Sequence, residues 1–166
     1  MNAKLVPLCA AVALLSSSAY ADVRSDYDRF KNQTVVHAES STGVHTSGVY
    51  LATTILTLFP GEKPLTVPDA VLISYTIENI TWKYLRCHDV NYLADGKPVR
   101  PLTSSHQGKI ERGYVTEQIQ APMSWSSALT LAAAGKIEVQ ICGNEHTFSP
   151  EEIANLRGVM QAASPK

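Results

Sequence analysis

The chain predicts an α+β fold: an antiparallel or mixed β-sheet of about five to seven strands with two helices of the C-terminal half packed on it. Three observations carry this. Strand patterns dominate the first two thirds, and the two capped helical patterns come late, after residue 123. Ile137, Val139 and Ile141 alternate with Glu138 and Gln140, the period of a sheet with one face buried. Ser149-Pro150-Glu151-Glu152 then opens a helix, with Ser as N-cap, Pro where its missing N–H is harmless, and Glu152 placed to close a capping box.

In chain order, residues 1–21 read as a cleaved export signal. Lys4 gives a positive start, residues 5–15 a short apolar run, and Ala19-Tyr20-Ala21 a small-x-small cleavage site. Removing 21 of the 166 residues leaves a single exported domain, 22–166, of 145 residues, and loss of Lys4 takes the formal net charge from −1 to −2. That balance gives no support to nucleic-acid binding, which needs a positive surface. No stretch of about 20 apolar residues is present to span a membrane, and the short leader fits a bacterial protein of the periplasm or the medium.

Residues 22–31 are charged, with Tyr27 and Phe30 three apart, and are expected to form a short helical or irregular arm pinned by those rings. A strand follows over 33–39 and a loop over 40–43. The uncharged run 48–59 predicts a central strand. It should pair antiparallel with a second over 70–82, in which Val71, Ile73, Tyr75 and Ile77 share a face. Asp95-Gly96 predicts a type I′ hairpin that pairs Ala94 with Lys97 and Tyr92 with Val99, and Pro98 makes the return strand an edge. Residues 103–108 read as a polar loop carrying His106, and 114–121 as a strand stopped by Pro122. Ser124 caps a helix over 125–134 with Leu129, Ala132 and Ala133 inward and Gly135 at its end. Gly143-Asn144 predicts a type II′ turn pairing Cys142 with Glu145, so that Ile141 faces His146. In the last helix Ile153, Leu156, Met160 and Ala163 line the inner face.

For chemistry, Cys87 and Cys142 are the two cysteines left after the leader, and in an exported chain a disulfide between them is the preferred reading. The competing reading gathers Cys87, His88, Cys142 and His146 as four zinc ligands or as a thiol–imidazole site. Adjacent strand residues point to opposite faces, so Cys87 and His88 ligate together only if the chain bends. No nucleophile elbow, phosphate loop or metalloprotease motif occurs, so no catalytic residue and no cofactor is assigned. Trp82, Tyr84, Tyr92, Tyr114 and Trp125 are the candidates for an aromatic ligand-binding platform, with Trp82 and Tyr84 on one face if 82–84 is extended. The function expected is therefore an exported, non-catalytic binding or interaction domain for a protein, peptide or glycan. The alternative is a small exported enzyme or zinc protein using the Cys87/His88/Cys142/His146 cluster.

Overall fold

A computed structural model describes residues 22–40 and 50–165. The expected leader over 1–21 and the loop residues 41–43 lie outside the described residues. Strands β1 (Arg24–Asp28), β2 (Gln33–Ser40), β3 (Tyr50–Pro60), β4 (Ala70–Asn79), β5 (Val90–Ala94), β6 (Lys97–Val99), β7 (Ser105–Glu111) and β8 (Tyr114–Ser124) precede helix α1 (Trp125–Ala133). Strands β9 (Ile137–Ile141) and β10 (Asn144–Thr147) and helix α2 (Pro150–Ala162) follow. They build two antiparallel sheets, one of six strands in the order β1-β2-β3-β4-β8-β7 and one of four in the order β10-β9-β5-β6. The architecture is α+β, with both helices in the C-terminal half packed against sheet.

One apolar core joins the inner faces of both sheets and both helices. Alternation puts Val71, Ile73, Tyr75 and Ile77 of β4 into it beside Ile119, Ala121 and Met123 of β8 and Val139 and Ile141 of β9. Helix α2 lies on β2 and β3 and inserts Ile153, Leu156, Val159 and Met160, while α1 packs against α2 and the β4–β8 end. The Tyr75 hydroxyl donates to the Tyr92 hydroxyl at 2.8 Å, a polar link between the two sheets, and burial raises both phenol pKa values.

Several expectations are met residue by residue. Asp95 and Gly96 both take positive φ, and the hairpin pairs Ala94 with Lys97 and Tyr92 with Val99. Strand β6 is an edge. Ser149 and Glu152 form the reciprocal capping box, and Ser124 caps α1 through the Ser127 N–H.

Others are corrected. Residues 24–28 are an edge strand rather than a helical arm, because pairing with β2 satisfies their backbone while both side-chain faces stay wet. Neither Tyr27 nor Phe30 is buried, so the rings do not pin the segment to the core; the Tyr27 hydroxyl donates only to Asn32 Oδ1 in the adjoining turn, at 3.0 Å. Residues 105–111 are also a strand, whose polarity reflects its edge position. Strand β4 stops at Asn79, so 82–84 is not extended sheet.

Pro122 lies inside β8 without breaking it. Its carbonyl accepts the Leu102 N–H at 2.7 Å, and a strand residue's N and C=O face the same side. The nitrogen that cannot donate therefore faces the flank beyond the Ser105–Gln120 pair, where β7 has not begun. In α1 the buried residues are Ala128 and Leu131, whereas Leu129 and Ala133 face out and the C-cap is Ala134. The last hairpin turns at Cys142-Gly143, both at positive φ, and pairs Ile141 with Asn144. His146 thus stands opposite Val139, two residues from the expected register, and a slip of two keeps every side chain on its face.

Candidate functional site

The connection from the six-stranded sheet to the four-stranded one, residues 80–89, has no strand or helix of its own and is nonetheless fixed along its length. Its first anchor is Glu117. In β8 the inward column runs Val115, Glu117, Ile119, Ala121, so alternation sends a carboxylate into the interior, where its exposure is 0%. Glu117 Oε2 accepts the Lys83 N–H at 2.7 Å, and Oε1 accepts the Tyr84 N–H at 2.9 Å and a hydrogen bond from His106 Nε2, also at 2.9 Å. Three donors on two oxygens are what a buried carboxylate requires to offset its lost hydration. Tyr84 is buried beside it, and that burial, followed by the charge of Glu117, raises the phenol's pKa.

The second anchor is the disulfide. Cys87 and Cys142 are bonded, with Cα atoms 5.9 Å apart, and Cys142 N–H donates to the Asp89 carbonyl at 3.0 Å. Between the anchors the Cys87 N–H donates to the Tyr84 carbonyl at 3.2 Å, and just past the second Ser104 Oγ donates to the His88 carbonyl at 2.8 Å.

Held this way, the connection presents apolar side chains to solvent: Ile80 at 74% exposure, Trp82 at 36% and Leu85 at 57%. Trp82 lies directly on Gly108 of β7, so closely that a methyl group at that position would collide with the six-membered ring of the indole. Its ring meets His106 edge-on at 6.3 Å between centroids, and His88 stacks on the other histidine at the same centroid distance. Lys83 reaches back over the Tyr84 ring, 5.4 Å from its centroid.

Of the five aromatic candidates, only Trp82 and Tyr84 belong to this connection, and of these two only Trp82 is accessible. Tyr92 is in the core against Tyr75 and Phe148, Tyr114 is exposed at the start of β8 on the face opposite Glu117, and Trp125 packs half-buried at the start of α1. The five form no single platform.

The Cys87, His88, Cys142, His146 set does not assemble either. Both sulfurs are consumed in one bond, so neither is a thiolate for metal or for nucleophilic attack. His88 belongs with His106, whereas His146 lies 3.0 Å from Glu152 Oε2 at the mouth of α2. Among the described residues no three metal-ligating side chains converge.

Glu117 and His106 are the residues that sequence reasoning missed. The available signal was a charged residue in register with Val115 and Ile119, a place where alternation demands an apolar one. Compared with family models, with curated proteins and with solved structures, the chain matches none.

Proposed function

We propose that the protein is an exported, non-catalytic interaction module whose contact surface is the 80–89 connection together with the adjoining edge strand β7. The observation that carries this reading is the double anchoring of a stretch that exposes Ile80, Trp82 and Leu85. A buried carboxylate and a disulfide hold a stretch that packs one face of Trp82 on Gly108 and leaves Ile80, Leu85 and the rest of the indole in water. Fixing a recognition loop before it meets its partner removes the ordering cost from binding. Export is supported by the leader pattern of residues 1–21, and a disulfide is compatible with it.

The partner is a protein, a peptide or a glycan. Selection from displayed-peptide and immobilised-glycan libraries tests the surface. Ligands recovered on the wild-type protein are expected to lose at least about tenfold in affinity on Trp82→Ala/Leu85→Ala, the loss of about 1.4 kcal/mol that one desolvated anchor supplies. They should keep it on Phe30→Ala, a substitution in the β1–β2 turn at the opposite edge. Ligands indifferent to Trp82 and Leu85 would refute the assignment. Cell fractionation and the mass of the processed chain test export, with a mature start at Asp22 as the expected result.

A further inference from the structure

The two sheets leave four edges, and three of them are blunted. Strand β1 carries Arg24, Asp26 and Asp28 among five residues, β6 is three residues long and contains Pro98, and β10 is four residues long. Strand β7 is different. It runs seven residues without proline, its two charges Lys109 and Glu111 neutralise each other in an ion pair at 2.6 Å, and its outer edge is unpaired among the described residues. Ile110 is 67% exposed on it, with Trp82 lying across its centre. An open edge of this kind is a template for another strand.

From this we infer that the occupant of the edge is a second copy of this chain, paired antiparallel through β7 about a two-fold axis at Gly108. The inference rests on the interaction reading given above and names its partner. In that register Ser105 faces the other Glu111, His106 faces the other Ile110, and Gln107 faces the other Lys109. No like charges stand directly opposite, and each exposed Ile110 gains a neighbour. Because β7 places His106, Gly108 and Ile110 on the side that Trp82 covers, the two indoles flank the axis over two residues that lack side chains. The six-stranded sheets would join into one of twelve, with self-complementary contacts, as a two-fold interface requires. A contact of seven paired residues and one aromatic pair is small, so the association is expected to be weak and reversible.

Paired cysteines test the register. Positions 105 and 111 of one strand are about 20 Å apart and cannot bond to each other, whereas each faces the other across the axis. Full-length Ser105→Cys/Glu111→Cys is expected to give a covalent dimer under mild oxidation. Each single variant alone should give none, and the two singles mixed should give a mixed dimer. Sedimentation of the wild-type protein is expected to show a mass rising toward twice that of the chain with concentration, and Ile110→Lys should hold it at the monomer. A monomer at every concentration with no cross-link overturns the inference, as does a dimer that the paired cysteines do not trap. A monomer whose β7 binds an extended peptide through Trp82 also overturns it, while leaving the interaction reading standing. Ligands indifferent to Trp82 overturn that reading instead.

Discussion

Glu117 and Glu152 are both buried carboxylates, and each holds a histidine and backbone amide hydrogen, yet they do different work. Glu152 acts close to home: it accepts the Ser149 N–H at 2.8 Å and pairs with His146, six residues away, and its distant partner is the Thr53 hydroxyl at 2.6 Å. It closes the start of α2 and fastens that helix to β3. Glu117 takes its amides from residues 33 and 34 positions earlier in the chain and fixes a stretch that has no regular structure. One carboxylate completes an element; the other substitutes for one. Where hydrogen bonding within a helix or sheet cannot order a segment, a buried charge that reaches across the fold can, and the segment is then free to expose what a packed element would bury.

The sharpest way to break the comparison is Glu117→Ala. It leaves two amides and an imidazole without their acceptor inside the protein, and is expected to cost about 3–5 kcal/mol in denaturant unfolding. In a Trp125→Phe background the emission of Trp82 should also move to the red as the connection comes loose. The corresponding change at the other anchor is smaller. Cys87→Ala/Cys142→Ala removes a cross-link between residues 55 positions apart and is expected to cost about 2–4 kcal/mol. Trp82 emission should then stay in place, because Glu117 still holds Lys83 and Tyr84. A red shift in the disulfide variant and none in Glu117→Ala would reverse the roles assigned to the two anchors.

The same contrast explains what could be read from the amino-acid sequence. The box around Glu152 is written in four consecutive residues, and the hairpin at Asp95-Gly96 in two, so local chemistry specifies both. The β4 and β9 faces follow from alternation alone. What the pattern could not supply was anything decided by an edge or by distance. Strand β1 looks like a charged helical or irregular arm and β7 like a polar loop because a strand with neighbours on one side only has no need of an apolar face. Pro122 looks like a stop because its tolerance depends on where another strand begins. The last turn moved by one residue, and its register by two, because Cys142 accepts a positive φ in a turn where its sulfur is bonded and its N–H is held by the Asp89 carbonyl. Glu117 was visible only as a fault in the alternation, and its partners lie too far off in sequence to be inferred.

Acid tests the Glu152 side of the comparison. Burial alone would raise the pKa of Glu152, but the hydrogen bonds from His146, Thr53 and the Ser149 amide outweigh it and the net shift is downward. A carboxylate whose folded pKa lies below its unfolded value contributes stability that is fully present above the unfolded pKa, near ~4.3, and is lost as pH falls through the folded one. Unfolding free energy measured between neutral pH and pH ~3 is therefore expected to fall at the acid end. Glu152→Gln should flatten that fall, and an unchanged acid limb in this variant would show that the shift at Glu152 contributes nothing.

The smallest effect is expected at Ser149, which supplies the other half of the box by accepting the Glu152 N–H at 3.1 Å. Ser149→Ala removes one capping bond from an end of α2 that Pro150 already preorganises, and should cost about 1 kcal/mol in thermal or denaturant unfolding. Because the carboxylate keeps its bonds to His146 and Thr53, the helix should stay docked and Trp82 emission should not move. A loss as large as that of Glu117→Ala would mean that the local box and the long-range clamp are one cooperative unit, since the Glu152 side chain would then depend on Ser149 for its place against β3.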